Sequence, residues 1–380
     1  MRCDTLSCAA KSIAESGSLS IRYQAVAIAA VPLGTIPARS PERSAFDEVV
    51  EDLAVKEFGS LGKRAYEVAS PVCSGRGIIR SCAVSLALTF FATIAQAQSL
   101  TNHVPLQDST YDYRVLPYEP TVAGLINQAN SEGAQRFLYG GNYVFSSTVS
   151  IYGRAVSSNV TATYQSIARP ASAAALVTQL NTQGAAGFLY LGDYSVSDSL
   201  LVNYSGNDTF AYRELPTALT EADFLTQVNT QGAQGYAFMG NVGFPAVGGS
   251  FVFSSLFVKN SAVSETFQYE TRNTSPDVTA FLSQAGTQGR LGYRYSGDLI
   301  FNSPSLASRS LYVKNNARSD RFYYEALGVA NSAPDFLAQA NAMGTRKYLY
   351  YSNMGFGTPA TQFASIYVSL SDVLFRAGFD

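Results

Sequence analysis

Carboxylates are the residues of this chain with the most chemistry to offer. A pair flanking a glycosidic bond supplies a general acid and a base or nucleophile, and Asp193, Asp298, Glu270 and Glu325 are the acids that pattern brings forward. In sister copies of the repeat described below, the same positions hold Asn, Arg or Gln, which is how solvated surface varies rather than how a catalytic pair is kept. Nucleophilic catalysis needs a Ser, Thr or Cys beside a base. The single histidine, His103, stands outside the repeats, and the cysteines, Cys3, Cys8, Cys73 and Cys82, all lie in the first quarter of the chain. No Cys/His set therefore offers to bind zinc. The Asn/Asp turns lack the spaced acids of a calcium loop, and no Gly-x-x-x-x-Gly-Lys-Ser/Thr run cradles a phosphate. These residues predict no enzyme, no metal site and no cofactor.

Composition bounds the rest. With 47% hydrophobic and 14% charged residues the chain reads as folded. A formal charge of −2 without any Lys/Arg run gives no electrostatic reason to expect nucleic acid as a partner. Tryptophan is absent, so 24 tyrosines and 23 phenylalanines supply the large aromatic surface.

Arg76 and Arg80 precede a mostly apolar run from Ser81 to Ala95, which ends in Ala95-Gln96-Ala97. Basic region, short apolar region and small-x-small site in that order predict a signal peptide over 76–97, cleaved after Ala97. The run falls short of the about 20 residues of a membrane-spanning helix. The expected location is secreted or periplasmic, with no stable membrane span after cleavage. Since such signals are N-terminal, residues 1–75 are expected to reflect a start placed too early, the true one being Val72, or else a disordered extension. Beyond Ala97 there is no cysteine, so stability must come from packing without disulfides.

The elements that would position any site repeat five times. Aligned on Gly133, Gly184, Gly232, Gly289 and Gly344, every copy has a glutamine five residues earlier: Gln128, Gln179, Gln227, Gln284 and Gln339. Twenty residues before each glycine stands a tyrosine: Tyr113, Tyr164, Tyr212, Tyr269 and Tyr324. Thr121, Ser172, Thr220, Asp277 and Ser332 are helix N-cap types at one common offset, and the glycine is expected to end the helix in a left-handed turn. Apolar pairs and their i+4 partners, such as Phe224, Leu225 and Val228, share one helical face. After the glycine the period becomes two, in Phe137-x-Tyr139, Phe188-x-Tyr190, Tyr236-x-Phe238, Tyr293-x-Tyr295 and Tyr348-x-Tyr350, which predicts a strand. Gly141, Gly192, Gly240, Gly297 or Ser352, each followed by Asn or Asp, is expected to close that strand in a turn. A third strand follows, as in Leu256-Phe257-Val258 and Leu311-Tyr312-Val313.

The expected fold is α+β: five tandem β-α-β-β repeats, each a three-stranded sheet with one covering helix, packed as a contiguous curved array or a closed five-unit ring. A linker over 98–110 precedes repeats at 111–160, 161–208, 209–264, 265–320 and 321–372, and a tail follows at 373–380. Length varies between the second and third strands, most in the third and fourth copies. Rigid units with variable tips place binding at the tips, which makes Phe244, Pro245, Val247, Asn302 and Pro304 the candidate binding residues. The repeated glutamine is read as bonding backbone at the helix-to-strand turn or in the neighbouring unit.

On the tyrosine strand, the helix ending in x-x-Gly and the aromatic strand, the stretch from Tyr111 to Ser371 resembles secreted bacterial tandem-repeat proteins of unknown function. One such unit is also similar to a short bacterial domain family that has Gly-Trp where this chain has Gly187-Phe188 or Gly235-Tyr236. In count and element order the repeats resemble the five-bladed α/β propellers of the pentein family, without their catalytic Cys and His. The terminal Phe375-Arg376-Ala377-Gly378-Phe379-Asp380 resembles an ending found in some secreted Gram-negative proteins. Two functions follow as expectations: an exported non-catalytic scaffold or adhesion-type module that binds an unknown protein through its variable loops, or a carbohydrate-binding or glycan-processing protein that uses exposed Tyr/Phe faces and acids. Burial of Tyr139, Tyr190, Phe238, Tyr295 and Tyr350 favours the first.

Overall fold

A computed structural model describes residues 106–371, apart from 196, 246–250 and 358–359. The expectations for 1–75, for the signal at 76–97, for His103, the cysteines, Val247 and the tail at 373–380 lie outside the described residues.

Five units follow one another. Unit 1 comprises β1 (Tyr111–Pro117), α1 (Val122–Ala134), β2 (Leu138–Val144) and β3 (Thr148–Ala155). Unit 2 comprises β4 (Ala162–Ala168), α2 (Ala173–Ala185), β5 (Leu189–Asp193) and β6 (Asp198–Tyr204). Unit 3 comprises β7 (Phe210–Pro216), α3 (Glu221–Ala233), β8 (Ala237–Pro245) and β9 (Phe251–Asn260). Unit 4 comprises β10 (Phe267–Asn273), α4 (Val278–Arg290), β11 (Arg294–Phe301) and β12 (Ala307–Asn315). Unit 5 comprises β13 (Arg321–Gly328), α5 (Ala333–Thr345), β14 (Leu349–Phe356) and β15 (Gln362–Ser371). In every sheet the third strand lies between the first and second and runs antiparallel to both. Each helix starts where the sequence places it: the side chains of Thr121, Ser172, Thr220, Asp277 and Ser332 accept an N–H bond from the residue three further on.

The repeated glycine does something other than end the helix. Gly133, Gly184, Gly232, Gly289 and Gly344 are all helical, and an added Cβ would overlap the carbonyl oxygens of Ala162, Phe210, Phe267, Phe322 and Tyr111 in turn. Each of those oxygens belongs to the first strand of the next unit, so the glycine is kept for close approach between units. The left-handed turn falls three residues later, at Arg136, Gly187, Gly235, Gly292 and Lys347, with φ between 67° and 87°. The helix accordingly lies between its own sheet and the next unit's first strand, and is not a cover for its own sheet alone.

The repeated tyrosine and an asparagine complete the same seam. Asn130 Oδ1 accepts the backbone N–H of Tyr164 at 2.6 Å and its amide donates to the Tyr164 carbonyl. The Tyr164 hydroxyl then accepts the backbone N–H of Tyr139 at 2.8 Å. Asn181 with Tyr212 and Tyr190 repeats the arrangement, as does Asn229 with Tyr269 and Phe238. An edge strand's outward backbone groups are thus satisfied by a helix side chain. The last unit closes on the first: Tyr113 N–H donates to Asn341 Oδ1 at 2.8 Å, and Tyr350 N–H donates to the Tyr113 hydroxyl at 2.7 Å. The five units therefore form a closed ring, which decides between the two arrangements the sequence leaves open.

Unit 4 departs from the pattern, having Gly286 where the others have Asn. A Cβ there would meet only the far end of Arg290 at 3.8 Å. Gly286→Asn restores the missing pair to Tyr324 and is expected to stabilise the chain by about 1–2 kcal/mol, from two hydrogen bonds and the removal of a helical glycine. An unchanged denaturant midpoint would remove the asparagine from the account of the seam.

The second strand stops at the Gly/Ser-Asn/Asp pair only in unit 2, where β5 ends at Asp193, and runs on in the other four units. Pairing slips by one residue there in all five units, between Tyr139 and Gly141 and at its equivalents, and Gly141, Gly192, Gly240 and Gly297 have φ of 120° to 136°. These are β-bulges, the extra residue being accommodated beside a glycine in the first four units and beside Ser352 in the fifth. Strand then resumes, reaching Pro245 in unit 3, Phe301 in unit 4 and Phe356 in unit 5. Variable length thus appears mostly as longer hairpin arms.

Candidate functional site

First and second strands of a unit run parallel, and the helix begins where the first strand ends. Helix starts and hairpin tips therefore gather at one end of the ring, opposite the helix ends and inter-unit links. At this hairpin end each arm reaches back over the preceding unit. Tyr143 stacks on Phe336 at 6.2 Å and packs edge-on to Tyr350. The Tyr194 hydroxyl donates to the Glu119 carbonyl. Arg169 donates to the Gly243 carbonyl and lies 4.5 Å over the Phe244 ring. Thr220 and Ser303 form a parallel bridge, and Phe356 packs 5.6 Å from Phe281 while Gln362 accepts from the Val278 N–H.

This geometry assigns the acids to the ring itself. Asp193 receives Arg169 together with the hydroxyls of Tyr190 and Ser199, and both charged side chains are largely shielded, a setting in which removing one partner strands the other. Glu270 pairs with Arg272 on its own strand; burial pushes its carboxyl above the usual range, and the arginine pulls it back. Asp298 accepts from Ser310, and Glu325 pairs with Arg346. Among the described residues no cluster of acids, His or Cys is arranged to hold a metal.

The aromatic ladder is interior. Tyr139, Tyr190, Tyr295 and Tyr350 are buried and Phe238 is half-buried. Tyr113, Tyr164, Tyr269 and Tyr324 have hydroxyls pushed well above the usual phenol range by burial, with the backbone N–H they accept opposing that shift. The repeated glutamine also points inward. The amides of Gln128, Gln227, Gln284 and Gln339 donate to the carbonyls of Pro117, Pro216, Asn273 and Gly328. Those carbonyls close the first strand of the same unit, so the bond spans the strand-to-helix link rather than the helix-to-strand turn or a neighbour. Tyr152, Tyr312 and Tyr367 complete three of these amides with a hydroxyl donated to Oε1.

Of the candidate binding residues, Pro245, Asn302 and Pro304 are exposed. Phe244 is not: it is buried against Leu176 and Leu180 of the preceding helix, because its place in β8 turns it toward unit 2. Leu219, Val252, Ile300, Leu306 and Phe363 are exposed at this end and were not singled out by periodicity, since isolated apolar residues beside turns carry no repeat signal. A second group that the spacing does signal is a serine in every third strand. Ser150, Ser199, Ser255, Ser310 and Ser365 are buried and donate to Asn142, Asp193, Asn241, Asp298 and Asn353 across the bulge. Each stands two residues before the third-strand Tyr, Leu or Phe, an offset as constant as that of the glutamine.

Residues 207–373, units 3 to 5, are similar to the family described as PT dipeptide repeat lipoprotein. Within the chain that dipeptide occurs at Pro120-Thr121 and Pro216-Thr217 and forms no tandem run, so the likeness lies in the folded units. No curated protein and no solved structure matches the chain. Among the described residues no helix is long and apolar enough to cross a membrane.

Proposed function

We propose that the chain is an exported, non-catalytic repeat module that binds a protein partner through the hairpin end of its ring. One observation carries the reading: most of the constant block of every unit is consumed by contacts within the ring, whereas the arms differ in length and expose Val252, Leu306 and Phe363, with Leu219 exposed beside them on the link that leads into α3. Side chains that neither pack nor repeat are where a binding surface is free to vary. Burial of the aromatic ladder counts against a glycan-stacking platform, and engagement of each candidate acid by Arg or Ser counts against an acid/base pair. A lipid carried on cysteine would find no residue after Ala97, so the form proposed is released or periplasmic rather than anchored.

Cross-linking the protein in its native envelope, with a Leu219→Ser/Leu306→Ser variant beside it, tests the reading. The expected result is a protein adduct lost in the variant, no signal on a glycan array, and an N-terminus at Gln98 by mass spectrometry. A saturable glycan signal, or an adduct indifferent to the variant, would overturn it.

A further inference from the structure

We propose that the segment docking at the hairpin end is basic and carries aliphatic or aromatic side chains; this rests on the reading above and names its partner's chemistry. The apolar half of the case is local. Leu219 is 70% and Leu306 54% exposed, and the Thr220–Ser303 bridge brings their chain segments side by side at the junction of units 3 and 4. Ile300, on the same arm, is exposed as well. In the cross-strand register Ile300 pairs with Ser308, whereas its neighbour Phe301, opposite Ala307, is buried and packs on Phe224 of the preceding helix. The arm therefore has one face used and one face open. Lone exposed leucines need no explanation, but apolar side chains brought together by a protruding arm and the link it crosses form a docking patch.

The charge half concerns the whole end. Its arginines, Arg169, Arg309 and Arg272, are each paired to a carboxylate: Asp193, Glu221 and Glu270. Glu119, Asp198, Asp223, Asp277 and Asp335 form no ion pair among the described residues. The helix starts offset part of this charge, at about half a unit each, or roughly +2.5 for the ring, against five such carboxylates. The end thus stays negative. Cationic side chains with no ion pair among the described residues lie toward the opposite end instead, where Arg136 follows α1 and Arg290 ends α4, while Arg318 and Lys347 there are paired to Glu265 and Asp108. A negative, partly apolar surface attracts a basic apolar segment and repels an anionic lipid surface, which decides between a protein and a membrane as occupant.

The test titrates the full-length protein with a fluorescent peptide alternating Lys and Leu, with its Glu/Leu counterpart, and with phosphatidylcholine vesicles with and without phosphatidylglycerol. The Lys/Leu peptide is expected to bind and to weaken about tenfold between roughly 50 and 300 mM salt. It should weaken about tenfold again in Leu219→Ser/Leu306→Ser, whose substitutions are on the surface and leave circular dichroism unchanged. Asp223→Asn/Asp335→Asn should reduce affinity at low salt only. Equal binding of both peptides, lost in the leucine variant, would overturn the proposed charge while leaving the hairpin end as the docking surface. Uptake by vesicles without peptide binding, or peptide binding that the leucine variant leaves intact, would overturn the proposal and the surface together.

Discussion

Raising the pH above about 10 should take the ring apart in one steep step, with tyrosine protons released as the structure is lost. The unfolded chain ionises its phenols near pH 10. In the ring the Tyr111 hydroxyl is pushed up to about 12 by burial, and those of Tyr113, Tyr164, Tyr212, Tyr269 and Tyr324 are raised as well, burial being the largest cause in each. A folded pKa above the unfolded one means the stabilisation is complete below pH 10 and is lost as pH climbs toward the folded values. Five seam tyrosines acting together change stability by about 7 kcal/mol per pH unit in that window, which rivals the whole stability of an ordinary domain. Tyrosinate absorbance and far-UV circular dichroism followed together provide the measurement. Coincident sharp transitions are expected; a broad phenol titration centred near 10 with the dichroism unmoved would show that these hydroxyls are not in the seams.

The second large effect belongs to a single methyl group. Gly344→Ala places a Cβ against the Tyr111 carbonyl at the junction that closes the ring. Relief requires either the helix or the first strand to move, so destabilisation of about 3 kcal/mol is expected, at the upper end for overpacking. Gly286→Ala serves as the matched control. It lies three residues before the equivalent glycine on α4 with open space around it, and should stabilise by about 0.5–1 kcal/mol through helix propensity alone. Denaturant midpoints read both. If the two alanines cost the same, Gly344 would have no special approach to make.

Why some of this was legible in the chain and some was not has a physical reason. Caps, helix faces and strand alternation are local, so Thr121 or Phe137-x-Tyr139 announces its element directly. The role of Gly133 is not local: a helix-ending glycine and a close-contact glycine look alike until the Ala162 carbonyl is seen above it. The bulge glycines mislead in a similar way, because Gly-Asn marks a turn as readily as a slipped pair, and only the continuing register shows which. Asn130, Asn181, Asn229 and Asn341 stand at a constant offset, yet their partner is a backbone some 31 to 40 residues on, or 228 residues back for Asn341. Their absence from unit 4 disguised them further. Phe244 falls in the segment between second and third strands where the copies differ most in length, which places it at a tip, whereas strand pairing carries it inward.

The ring itself is tested most directly by one covalent bond. Lys347 Nζ lies 2.7 Å from Asp108 Oδ1, across 239 residues of sequence and the junction of the last unit with the first. A zero-length carbodiimide reaction on the monomer, analysed by peptide mass spectrometry, should join those two side chains within one molecule. Their absence from the cross-linked peptides, with Lys347 joined elsewhere, would mean that the fifth unit does not meet the first.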